Sequence, residues 1–215
     1  EADTLKKILD DTGMVCAATH RSLDALKDVN KEVDWHKTVG CEYTAIGGFF
    51  NKEATKAYWQ AFVKEFNEVA SKLAAEGLHL GYHNHNHEFA PFESDPAKLD
   101  PKENPYEMLA SDLNDDCWFE LDTYWVAAGG AEPTQWLGRL AGRIPCIHVK
   151  DYTVTPEREV KMCEVGAGNL NWPGILEAAK AGGTKWYLIE RDRGDLDPFE
   201  SLKISLDNLK SWGLS

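Results

Sequence analysis

The run Leu78-His79-Leu80-Gly81-Tyr82-His83-Asn84-His85 and its downstream counterparts decide the fold. The counterparts are Phe119-Glu120-Leu121-Asp122, Ile147-His148-Val149-Lys150 and Ile189-Glu190-Arg191-Asp192. In each, an apolar stretch ends abruptly in ionisable residues at alternate positions: His83 and His85, Glu120 and Asp122, His148 and Lys150, Glu190 and Asp192. Residues i and i+2 of a strand face the same side, so four strands aim acids, histidines and a lysine one way at their carboxyl ends. The residues between them, Tyr82, Leu121, Ile147 with Val149, and Ile189, are apolar and suit packing against helices. An open doubly wound sheet gathers such groups at one crevice. A (β/α) barrel gathers them from neighbouring strands at its carboxyl face, where its active sites lie. The pattern predicts the barrel.

Outward from these runs the same unit repeats. Strand-like stretches at 14–19, 43–46, 78–82, 117–121, 145–149 and 185–189 alternate with helix-like ones, and the strands start about 27 to 41 residues apart, the length of a strand–helix unit. The clearest helix is 55–76, where Tyr58, Phe62, Phe66, Val69 and Leu73 recur at helical spacing and Gly77 supplies the stop. Another, 172–181, is opened by Pro173 and closed by Gly182-Gly183. No Gly-rich phosphate loop follows the first strand, which counts against a dinucleotide-binding fold. With no linker, charge block or low-complexity tract, residues 1–215 read as a single α/β domain.

Composition narrows the partners. The 215 residues are 43% hydrophobic and 11% aromatic, enough for a sizeable core, which excludes a disordered chain. A formal charge of −13 repels phosphate backbones, so neither nucleic acid nor an anionic membrane is an expected partner. No apolar run approaches the roughly 20 residues of a membrane span, and the opening Glu1-Ala2-Asp3-Thr4 shows no signal peptide. Five cysteines without a Cys-x-x-Cys pair argue against a disulfide scaffold or zinc knuckle, and the expectation is a reducing cytoplasm. Cys16 and Cys146 read as small core residues, His36 as a solvated helix residue and His87 as a loop residue.

Imidazoles and carboxylates converging in a barrel mouth make a divalent-metal site, and mixed nitrogen and oxygen ligands suit Mn²⁺, Co²⁺, Fe²⁺ or Zn²⁺ better than Ca²⁺. Blander readings stand beside this one. The four-strand set can be a structural ion-pair network, and His20 and His79 can be hydrogen-bonded core histidines. Glu120 suits a salt-bridge partner as well as a ligand. Trp125 and Trp172 suit packing as well as stacking on a sugar. Arg191 has the wrong parity to point inward and reads as outer packing or a salt bridge, whereas Arg193 sits in the following loop, within reach of a hydroxyl or phosphate.

Gly81-Tyr82-His83-Asn84-His85 with Glu88-Phe89, Phe119-Glu120-Leu121-Asp122-Thr123-Tyr124-Trp125, Arg143-Ile144 with His148-Val149-Lys150-Asp151, and Glu190-Arg191-Asp192 together resemble the xylose-isomerase-like sugar phosphate isomerase/epimerase family. Val165-Gly166-Ala167-Gly168-Asn169-Leu170-Asn171-Trp172 is similar to that family's Gly-x-Gly-x-x-(Asp/Asn)-(Trp/Phe) segment. The resemblance implies a (β/α)₈ TIM barrel holding one divalent metal, commonly Mn²⁺, with Zn²⁺, Co²⁺, Fe²⁺ or Mg²⁺ as alternatives. Its metal shell of Glu, Asp, His and Glu falls on His83, Asp122, His148 and Glu190, so this sequence departs from the pattern at His83. His85 is the substitute ligand if the register slips. The implied chemistry is proton transfer beside the carbonyl of a sugar, keto-sugar or sugar phosphate. Glu190 is the expected base, Lys150 and His85 are its catalytic partners, and His20, Trp125 and Arg193 are the expected substrate contacts.

The His-Asn-His form also resembles branches linked to ketoinositol dehydration and to 3-keto-glycoside elimination or epimerisation. The family barrel has eight strands and six are found, the first two lacking, so an N-terminally incomplete barrel is expected, with homo-oligomers covering its edges. Two rivals come from other classes. An endonuclease-like barrel needs three metals and a basic face, which the charge opposes. A degenerate barrel that binds a sugar or a partner chain without catalysis is the second.

Overall fold

Helix α4 (Lys56–Ala74) forms where apolar residues recur at helical spacing: Thr55 Oγ1 caps the Tyr58 N–H at 3.3 Å, and Trp59, Phe62, Phe66 and Leu73 are buried. Tyr58 is the exception on the expected stripe. It stands half-exposed, stacked on Phe49, and Trp59 takes the buried place. The computed structural model describes residues 1–51, 55–95 and 97–214. It divides into two units, Glu1–Glu120 and Leu121–Ser215.

The first unit runs α1 (Ala2–Thr12), β1 (Thr19–His20), α2 (Leu23–Leu26), α3 (Val29–Val39), β2 (Tyr43–Ile46), α4, β3 (His79–His83), α5 (Pro105–Asp112) and the start of β4 (Trp118–Asp122). Its strands are parallel in the order β1-β2-β3-β4. Gly81 lies opposite Trp118 in this ladder, and a Cβ there would stand 2.3 Å from the indole, so only glycine lets the ring lie over the strand. The first strand is shorter than the apolar run 14–19 suggests, and Met14 and Val15 are exposed. The stretch 47–50 forms no strand: Gly48 has φ +118°, and Gly47 passes so close to His20 that a Cβ would meet its ring at 2.9 Å. Cys16 is half-buried, whereas Cys146 is fully buried.

His36 corrects the solvated reading, since it is only 1% exposed. Its Nδ1 lies 2.7 Å from the Glu32 carbonyl and its Nε2 2.7 Å from Thr19 Oγ1. Helix α3 turns this face toward β1, where the imidazole finds polar partners inside the core. Burial pushes its pKa below the ordinary 6.5, against the pull of Glu32 and with the aid of Arg21. The folded chain therefore binds fewer protons here than the unfolded chain does. Stability contributed by neutral His36 is full above about pH 6.5 and falls as pH drops below it. We expect the urea midpoint to fall between pH 7.5 and 5.5, and to fall less in His36→Gln; an unchanged pH dependence in that variant places the effect elsewhere.

The second unit begins with the end of β4. It continues through α6 (Thr123–Ala128), α7 (Pro133–Arg139), β5 (Cys146–Val149), β6 (Asp151–Val154), β7 (Val160–Cys163), α8 (Trp172–Ala181), β8 (Trp186–Ile189) and α9 (Pro198–Ser211). The end of β4 pairs with β5, and β5 with β8, all parallel. With the first unit's ladder this makes six parallel strands among the described residues, alternating with helices as an α/β fold requires. Strands β6 and β7 form a separate antiparallel hairpin that the apolar pattern did not announce. Among the described residues no helix is long and apolar enough to cross a membrane.

Candidate metal centre

Pairing in the second unit sets the centre's geometry. Asp122, the last residue of β4, is level with His148 on β5, and Glu190 follows directly after β8. Because side chains alternate, Asp122, His148, Lys150 and Glu190 share one face at the strands' carboxyl ends. Asp122, His148 and Glu190 each offer a ligand atom, and these atoms lie within 4.8 Å of one another. His148 Nδ1 contacts Glu190 Oε2 and stands 3.9 Å from Asp122 Oδ2. Lys150 Nζ lies 3.0 Å from Asp122 Oδ2, 3.3 Å from Glu190 Oε2 and 3.1 Å from Asp192 Oδ1.

The donor set fits a divalent ion. One imidazole and two carboxylates converge, and Asp122 is fully buried while Glu190 keeps a face to solvent. Three carboxylates gather around the buried Lys150 ammonium, an excess of negative charge that suits a further cation. Burial alone would push the Lys150 amine down, but the charges of Asp122, Glu190 and Asp192 outweigh it and hold the pKa above its ordinary value.

The backbone here is pinned from two sides. Thr123 Oγ1 donates to the Lys150 carbonyl at 2.8 Å and accepts from the Lys150 N–H at 3.0 Å. The buried Asp151 carboxylate accepts from Gly166 N–H at 3.0 Å, Gly168 N–H at 3.1 Å and Trp172 Nε1–H at 2.6 Å. A Cβ at Gly168 would stand 2.3 Å from Asp151 Oδ1, which explains the glycine in the 165–172 motif. In the sequence Asp151 reads only as the end of the His148-Val149-Lys150-Asp151 motif, without this role, because these partners lie 15 to 21 residues downstream. Asp151→Ala strands the buried Trp172 Nε1–H and two part-buried backbone donors at once, so we expect a loss of about 3 kcal/mol, read from urea unfolding; a loss under 1 kcal/mol would show that water replaces the carboxylate.

The remaining expected residues divide between the units. In the first, His83 is buried at the end of β3, level with Glu120, and its ring lies 5.3 Å from His20 and 4.9 Å from His85. His20 Nε2 contacts Glu120 Oε2, so Glu120 acts as partner to that imidazole. His85 sits in the turn after β3, its N–H bonded at 2.8 Å to the buried Glu88, which also accepts from Tyr82 Oη at 2.7 Å. His87 lies in a short 3₁₀ turn, its Nε2 3.1 Å from the Phe49 carbonyl. In the second unit, Trp125 opens α6 with its ring 5.5 Å from Lys150 Nζ, and Arg193 is exposed in the loop after β8. Arg191 turns away to Glu164 and Ser201, as its parity requires. Trp172 is buried against Asp151 and Trp212 and serves packing.

Comparison with known proteins follows the same lines. A family model described as xylose isomerase-like TIM barrel matches residues 1–212. A sugar phosphate isomerase/epimerase structure from Parabacteroides distasonis has a TM-score of 0.80 at 23% identity, covering 98% of this chain and 75% of that one. An IOLI protein with a bound zinc atom gives a TM-score of 0.71 at 16% identity, covering 98% and 81%. A structure of L-ribulose 3-epimerase gives 0.65 at 16% identity, covering 100% and 84%. At these identities the likeness shows the fold alone. No curated protein matches the chain.

Proposed function

This chain belongs to the xylose isomerase-like TIM barrel family, and from that premise we propose that it is a divalent-metal-dependent enzyme that moves a proton next to the carbonyl of a sugar, keto-sugar or sugar phosphate. The observation that carries the reading is the convergence of Asp122, His148 and Glu190 around Lys150 at the carboxyl ends of β4, β5 and β8. His83 is the proposed fourth ligand. It is buried at the end of β3, level with Glu120, and Glu120 precedes Asp122 by two residues on the same face of β4. Mn²⁺ suits the mixed donors, and the zinc-bearing IOLI neighbour keeps Zn²⁺ as the alternative.

Once bound, the ion supplies Lewis-acid stabilisation to the carbonyl and hydroxyl oxygens of the substrate. The protein supplies the rest. Glu190, partly open to solvent beside a buried cation, takes the proton from the carbon next to the carbonyl. Lys150 donates to the oxygen on which charge develops, held in place by Thr123 and by its carboxylate neighbours. His85 is the proposed second proton carrier, on the turn that Glu88 fixes. Return of the proton to a different carbon or face gives isomerisation or epimerisation; loss of a β-substituent gives elimination. His83, where the family pattern has a second glutamate, leaves elimination open as the second reading.

Metal analysis combined with solvent exchange tests the proposal. Purified protein should bind about one divalent ion per chain, and a panel of ketoses in deuterated water with added Mn²⁺ should yield at least one that exchanges a carbon-bound hydrogen. A protein that binds no metal and exchanges nothing is a binding protein instead, and three metals per chain favour the nuclease.

A further inference from the structure

Beside the metal centre the second unit carries an aromatic wall that the proton-transfer chemistry does not use. Tyr124 and Trp125 open α6 with ring centroids 4.6 Å apart, and Tyr124 also meets Tyr152 of β6 at 5.3 Å. All three are only partly buried, each keeping some surface to solvent. Tyr124 and Trp125 line a cavity of about 340 Å³ together with Val160, Met162 and Arg193. That volume is at the small end of ligand pockets, with room for about one further ring.

The wall is tied to the centre through one carboxylate. Asp122 Oδ1 accepts from the Trp125 N–H at 3.0 Å, while Asp122 Oδ2 faces Lys150 Nζ at 3.0 Å. Trp125 therefore begins where the ligand set ends. The charges that line the cavity cancel, Lys161 and Arg193 against Glu159 and Asp195, so the lining does not single out an anion. Lys161 is ion-paired with Asp195, and Glu159 adds a second carboxylate to the lining. What the wall offers is an apolar face, complementary to the C–H face of a pyranose or to an aryl ring.

We propose that Tyr124 and Trp125 form a subsite for a second, uncharged ring, so that a keto-sugar bearing a neutral cyclic substituent binds better than the bare sugar or its phosphate. The inference rests on the sugar-carbonyl reading of the metal centre and names the class of compound it takes. Binding measured on a panel of keto-pyranosides, which keep a ring ketone, tests it, each offered as its methyl and its phenyl glycoside to the Mn²⁺-treated protein, so that the identity of the sugar cancels within each pair. The phenyl member should bind about tenfold tighter, as stacking on an aromatic wall implies. Trp125→Ala should close that gap, and Tyr124→Ala provides the same test should the first variant fold poorly.

Equal affinity within every pair overturns the subsite, as does the absence of binding by any glycoside. A sugar phosphate that outcompetes both members also overturns it and points to an anion site at Arg193. Metal content measured on the same samples separates the two readings. A pair gap without metal removes the metal centre and leaves the wall; metal without a pair gap does the reverse.

Discussion

Glu190→Gln should lower the rate of substrate C–H exchange by about 10²–10⁴-fold, the contribution of a positioned general base, while the protein still binds close to one metal ion per chain. Glutamine keeps the side-chain length and one oxygen donor, so the contact that Glu190 makes with His148 retains an oxygen to meet it. What it loses is basicity. The loss of one negative charge beside Lys150 is tolerable, because Asp122 and Asp192 remain at 3.0 and 3.1 Å from the amine. The measurement is exchange into deuterated water on whichever ketose the wild-type chain exchanges, with metal content determined on the same preparation. A variant that exchanges at the wild-type rate removes Glu190 from the role of base and moves it to Lys150 or His85. A variant that loses metal as well as exchange shows that Glu190 holds the ion more than it moves the proton.

The strands were legible because burial on one face and function on the other leave a period of two that ends in charge. That is why β2 (Tyr43–Ile46) appears where its apolar run lies and why Asp122 and His148 stand level. Strand β1 was not legible in its extent: an apolar run shows that residues avoid water, but only a partner sets how many pair, and two do here. The β6–β7 hairpin escaped notice because its strands mix charges with apolar residues and need not bury a full face. Isolated side chains were hardest to place. His36 looks like a surface residue of α3 until Thr19 arrives from another element to meet it. Asp151 looks like the tail of a metal motif, yet its carboxylate organises the loop that ends at Trp172. In both cases the deciding partner is distant in sequence, and periodicity carries no information about it.

Asp122→Asn should strip the metal centre while sparing the fold, and the structure explains why asparagine is the sharper substitution than alanine. Asp122 has two tasks, one for each oxygen. Its Oδ1 caps α6 by accepting the Trp125 N–H at 3.0 Å, and its Oδ2 faces Lys150 at 3.0 Å and His148 at 3.9 Å. An asparagine oxygen can keep the cap, since Asn serves there as well as Asp does. The amide cannot keep the charge, and a hard divalent ion loses an anionic donor in a buried site. Affinity for Mn²⁺ should therefore fall by more than the roughly 10–100-fold that loss of a mere supporting partner costs, with the far-ultraviolet circular dichroism unchanged. Asp122→Ala should lose the metal too, and in addition about 1 kcal/mol of stability with the cap. The difference between the variants isolates the cap from the ligand: equal stability would mean that Trp125 is held by its packing and not by Asp122. Retention of wild-type metal affinity in Asp122→Asn would sink the assignment of this carboxylate as a ligand, and with it the centre on β4, β5 and β8.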